Sequence, residues 1–61
     1  RKIVAKHDIA IGEEINLNNI NFMRININKT SLDASKWHLL SGKKSKIFIN
    51  KYSPVTLNNT V

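Results

Sequence analysis

Sixty-one residues with a formal charge of +6 and no cysteine describe one small basic domain, and they exclude a disulfide framework and thiol chemistry. No apolar run approaches the roughly 18 residues needed to span a bilayer, and no signal-peptide pattern opens the chain. A domain of this size buries only about 60 % of its unfolded surface, so it folds with little margin.

In chain order, 1–5 (RKIVA) is β-branched and apolar and reads as a short strand. Ala10-Ile11-Gly12-Glu13 reads as a turn, with Gly12 supplying a positive φ. Glu14-Ile15 is short and extended, and Asn16 or Asn18 is placed to cap a single helical turn through Asn19-Ile20. Asn21-Phe22-Met23-Arg24 alternates polar and apolar, as a half-buried strand does, and the alternation runs on through Ile25-Asn26-Ile27-Asn28. Ser31 or Asp33 is placed to cap a short helix over 34–40. Its apolar residues Ala34, Trp37 and Leu40 fall at helical spacing, and Ser41-Gly42 ends it. Lys43 to Ile49 reads as the next strand, Pro54 as a turn or strand edge, Val55-Thr56 as extended chain, and 57–60 as a second single helical turn.

The chain also says nearly the same thing twice. Residues 5–20 (AKHDIAIGEEINLNNI) align without a gap on residues 45–60 (SKIFINKYSPVTLNNT), at an offset of forty. Lys6 meets Lys46, Ile9 meets Ile49, Ile15 meets Val55, and Leu17-Asn18-Asn19 meets Leu57-Asn58-Asn59. Two copies are too few for a solenoid. They imply a compact, mostly β unit with pseudo-two-fold internal symmetry, in which two strand-turn-strand pieces wrap around each other.

Most chemistry-bearing residues have a plain reading. His7 and His38 stand without cysteine partners, and a metal site needs three or four ligands, so both are read as solvent-facing. Glu13-Glu14 is read as a solvated turn, because adjacent residues there point apart. The basic residues are scattered except at Lys43, Lys44 and Lys46. Strand alternation sends Lys44 and Lys46 to one face and Lys43 to the other, and few aromatics stand near to stack on bases, so nucleic-acid binding is disfavoured. Trp37 is read as a core or interface anchor.

The run Val4-Ala5-Lys6-His7-Asp8-Ile9-Ala10-Ile11-Gly12-Glu13-Glu14-Ile15 resembles the opening motif of the SAF domain. That superfamily includes type III antifreeze proteins, the C-terminal domain of sialic acid synthases, and modules of pilus and flagellar assembly. Trp37-His38-Leu39-Leu40-Ser41-Gly42-Lys43-Lys44-Ser45 resembles a stretch of the sialic acid synthase branch, with Ser41 and Ser45 in place of apolar and small residues. Arg24 stands where that branch has the arginine of an R-P-G motif, although Ile25-Asn26 here replaces Pro-Gly. The resemblance covers essentially the whole chain.

The resemblance implies a small β-clip fold of short strands and single helical turns. It also implies that the chain, which opens on Arg1, is excised from a longer bacterial, cytoplasmic enzyme with an N-terminal TIM barrel. Such enzymes condense phosphoenolpyruvate with an N-acetylated aminosugar, typically N-acetylmannosamine. Their divalent metal, manganese or magnesium, is held by the barrel, so no cofactor is expected in this domain. The SAF domain swaps across a homodimer and covers the partner's active site, where its arginine meets the sugar's N-acetyl group. Carried onto this chain, the substrate-binding residue is Arg24, and Asp8, Gly12, Trp37 and Gly42 are structural, with Asp8 hydrogen-bonding turn amides. The isolated domain is expected to be a catalytically inactive monomer that touches neither nucleic acid nor membrane. Two rival readings exist within the superfamily. A secretion-assembly module would carry a signal peptide or anchor upstream, and an ice-binding protein would have a flat face with few charges.

Overall fold

The computed structural model describes residues 1–24 and 31–61. Its sheet has two antiparallel strands, β1 (Lys2–Ala5) and β2 (Ile20–Met23), in the register Lys2 to Met23, Ile3 to Phe22, Val4 to Asn21 and Ala5 to Ile20. Single bridges extend it: Lys2 with Asp33, Val4 with Pro54, Ile9 with Ile49, Glu14 with Lys44, and Ser45 with Thr60. Among the described residues the result is a small, mostly β unit with one short α-helix. Among the described residues no helix is long and apolar enough to cross a membrane.

β1 is the central strand, which is why its apolar run does not alternate with polar residues. Ile3, Val4 and Ala5 are all fully buried. One edge of β1 pairs with β2. The other edge is shared: Ile3 N–H donates to Leu32 O at 2.9 Å, and Ala5 N–H donates to Ser53 O at 3.0 Å. Ile3, Ala5, Ile9, Ile15, Ile20, Leu40, Ile49 and Val55 form one core, with Phe22, Leu32 and Trp37 packed against its rim. Each fully buried isoleucine contributes about 1.5–3 kcal/mol relative to an exposed one.

Asp33 caps the helical segment. In an extended conformation, its carboxylate accepts the Ser35 N–H at 3.0 Å and opens a 3-10 turn, Ala34–Lys36, which runs into α1 (Trp37–Leu40). Leu40 anchors α1 in the core, and Gly42, at φ +86°, turns the chain out of it. A second 3-10 turn spans Leu57–Asn59.

Many backbone bonds have a counterpart forty residues on. Lys6 N–H donates to Asn19 O at 2.9 Å, and Lys46 N–H to Asn59 O at 2.6 Å. Gly12 N–H donates to Ser45 O, and Tyr52 N–H to Ala5 O, each at 2.8 Å. Glu13 N–H donates to Ala10 O, and Ser53 N–H to Asn50 O, each at 3.0 Å. Gly12 and Tyr52 both have positive φ, at +84° and +69°.

Three sequence-based expectations need correction or fall elsewhere. Lys43 to Ile49 is not a strand. Lys44, Ser45 and Ile49 make isolated bridges, and the chain bends at Lys46-Ile47, where the Ser45 hydroxyl donates to Ile47 O and closes the bend. Strand alternation therefore does not govern Lys43, Lys44 and Lys46. Ile20 is the first residue of β2 and not the end of a helical turn. The preceding turn is an Asn device: Asn16 Oδ1 accepts the Asn18 N–H at 2.8 Å. The continued alternation through Asn28 lies outside the described residues.

Candidate functional site

Arg24 is exposed and immediately follows β2. The strand that carries it is well held. Ile20, opposite Ala5, is only 2 % exposed, and Phe22 meets the Trp37 ring edge to face, with centroids 6.1 Å apart and planes at 88°. Such aromatic pairs add about 0.5–1.5 kcal/mol beyond the area they bury. Trp37 is thus a rim residue of the core that locks α1 against the strand leading to Arg24.

The register adds a residue that sequence reasoning passed over. The pairing ends at Lys2 and Met23, so Arg1, just before β1, and Arg24, just after β2, lie at the same end of the strand pair. The Arg1 carbonyl accepts the Ala34 N–H at 2.7 Å, which keeps the start of the chain against the segment capped by Asp33. The signal in the sequence was the strand pair itself: once 1–5 and 21–24 are read as antiparallel neighbours, the two arginines fall at one end. Lys2 lies 4.0 Å from the Asp33 carboxylate with both side chains well exposed, so this ion pair adds little. Asp33 sits below the usual carboxylate range chiefly because Ser35 hydrogen-bonds it, through its side chain and then its N–H.

Asp8, Gly12 and Gly42 organise turns. Asp8 Oδ1 accepts the Lys51 N–H at 2.8 Å, a bond to the amide of the second turn and not of its own. Gly12 and Gly42 hold positive φ. His7 and His38 are exposed, and among the described residues no three or more metal-ligating side chains come together.

Glu13 is the correction here. It is not simply solvated: its Oε1 accepts the Ala10 N–H at 3.0 Å and its Oε2 accepts an Asn19 Nδ2 hydrogen at 2.9 Å. These bonds, the Ala10 amide first and Asn19 second, hold its carboxyl below the usual range, with His7 adding a small attraction. Spacing carried a hint, since a carboxylate three residues after Ala10 can close back on that residue's amide.

The end of β2 therefore presents an exposed arginine directly after a strand anchored in the core, with Arg1 and Asp33 at the same end of the sheet. A guanidinium presents a planar fork of N–H donors suited to oxygen acceptors. Compared with known proteins, the chain matches the family model described as SAF domain over residues 1–59. Neither a curated protein nor a solved structure matches it.

Proposed function

The chain belongs to the SAF domain family, and on that premise we propose that it is the substrate-binding lid of a larger sialic acid (nonulosonic acid) synthase. In this reading a TIM-barrel domain precedes the chain and holds the divalent metal. The two domains work in a cytoplasmic, domain-swapped homodimer that condenses phosphoenolpyruvate with an N-acetylated aminosugar such as N-acetylmannosamine. The domain alone has no activity. Its fold is read as a β-clip with pseudo-two-fold symmetry, a reading supported by the backbone bonds that recur forty residues apart.

The observation that carries the functional reading is Arg24, exposed at the end of a strand fixed by Ile20 and by the Phe22–Trp37 contact. A lid needs a recognition group that does not move relative to its domain. Holding the sugar and excluding water places two reactants together, which accelerates a bimolecular step without acid–base work by the lid. Arg24 would donate to the N-acetyl carbonyl, as a planar fork of N–H groups does well. The Trp37…Gly42-Lys43-Lys44 segment favours this branch over an assembly module.

The upstream reading frame tests the proposal. About 250 residues of alternating strand and helix before Arg1 are expected. A signal peptide or a membrane anchor there would refute it.

A further inference from the structure

The two Glu13 carboxylate bonds of the first half have no counterpart in the second, and a groove opens where they are missing. In the first half the Glu13 carboxylate joins the Ala10 N–H to the Asn19 side-chain amide. The positions forty residues on are Asn50, Ser53 and Asn59. Asn59 keeps the rest of the pattern: its Nδ2 donates to Pro54 O at 3.1 Å, as Asn19 Nδ2 donates to Glu14 O at 2.7 Å. An amide nitrogen has two hydrogens. Asn19 gives its second to Glu13, whereas the position matching Glu13 in the second half is Ser53, whose side chain carries no carboxylate. Neither that second hydrogen nor the Asn50 N–H meets an acceptor among the described residues.

The groove has a volume of about 410 Å³, and Asn50, Ser53 and Asn59 line it together with Ile47, Phe48 and Pro54. Ile47 and Phe48 are 48 % and 50 % exposed, large apolar side chains held at the surface. No acidic residue lines it, and the exposed Lys46 and Lys51 adjoin the lining residues Ile47 and Asn50 in sequence.

We propose that this groove is a carboxylate-binding site that takes a glutamate or aspartate side chain from an extended, acidic segment of a partner protein. The chain's own Glu13 shows the required geometry: one carboxylate oxygen on a backbone N–H and the other on an asparagine amide. Hydrogen bonds to an ionised acceptor are roughly twice as strong as neutral ones, which selects carboxylate over amide. The volume lies within the range of sites that hold whole ligands, far more than one carboxylate fills. The apolar Ile47 and Phe48 supply contact for residues flanking the acid, and the +6 charge of the chain favours an acidic partner. The site is independent of Arg24 and of the lid reading.

The test is titration of the isotope-labelled chain, followed by NMR, with a short acetylated and amidated peptide alternating valine and glutamate. Its glutamine counterpart and acetate serve as comparators. The Asn50 backbone amide and the Asn59 side-chain amide are expected to shift with the glutamate peptide, which binds roughly tenfold tighter than the glutamine one. Ser53→Glu rebuilds the internal carboxylate and is expected to abolish binding while keeping the folded spectrum. Equal binding of both peptides, undiminished binding by the Ser53→Glu chain, or saturation by acetate at the peptide's own concentration would each overturn the proposal.

Discussion

Ile9 and Ile49, forty residues apart, exchange both backbone hydrogen bonds across an antiparallel bridge, at 2.8 and 2.9 Å. Both side chains belong to the core, at 0 % and 2 % exposure. The bridge joins the two halves of the chain at their centre, and Asp8 and Lys51 add a bond beside it. Residues directly opposite in such a pair have Cβ atoms about 5.5 Å apart, so they share packing. Ile9→Val and Ile49→Val are each expected to lower stability by about 1 kcal/mol. Because the two side chains are neighbours, the double variant should depart from the sum by about 0.5 kcal/mol or more. Urea denaturation of the four chains measures this, and strict additivity would show that the two isoleucines do not pack as a unit.

Acid should weaken the fold through Glu13 and Asp33. Both carboxyls sit below their ordinary range, Glu13 because of the Ala10 amide and then Asn19, and Asp33 because of Ser35. A carboxyl whose folded pKa is depressed contributes stability that is fully present above its unfolded pKa, about 4, and that is lost as pH falls through the folded value. The melting temperature should therefore hold steady from pH 7 to about 5 and decline below about 4. Glu13→Gln should cost about 1 kcal/mol at pH 7, a drop of roughly 4–8 °C for a domain of this size. Its deficit should close as the native carboxyl protonates. Parallel melting curves for the two chains at every pH would remove Glu13 from this account.

Gly12 and Gly42 isolate backbone strain from crowding. Both have positive φ, and an added Cβ at either meets nothing within 4 Å. L-alanine should cost about 1–2 kcal/mol at each position through the left-handed conformation alone. D-alanine, introduced by chemical synthesis, should match or exceed glycine, because it favours positive φ and narrows the unfolded ensemble. Thermal melts of the four synthetic chains decide this. Equal losses with D- and L-alanine would point to volume in place of φ.

Local chemistry was the legible part of this fold. Turn glycines, the Asp33 cap and the apolar spacing of Ala34, Trp37 and Leu40 all act over a few residues, and their sequence signals are correspondingly direct. The strand expected over Lys43 to Ile49 failed because composition reports propensity and not pairing partners. At Ser45 a buried hydroxyl turns to the Ile47 carbonyl and bends the chain. Tyr52 was missed as a positive-φ residue although the forty-residue offset laid it directly on Gly12. A bulky residue in that conformation is uncommon, and here Tyr52 sits in a bonded turn with the Lys51 ammonium 4.9 Å from its ring centroid. At the candidate site, Arg24 was visible through resemblance. That Arg1 lies at the same end became visible only through the pairing of β1 with β2, a long-range property that spacing alone does not carry.

The proposal that Arg24 grips an aminosugar is tested most directly by steady-state kinetics of Arg24→Ala in the proposed full-length synthase, with each substrate varied in turn. The account expects the aminosugar KM to rise, or turnover to fall, by about tenfold or more. The phosphoenolpyruvate KM should stay nearly unchanged, and Arg24→Lys should recover only part of the loss, because an ammonium does not reproduce the guanidinium fork. An unchanged aminosugar response in the alanine variant would contradict the claim and leave Arg24 as a surface arginine.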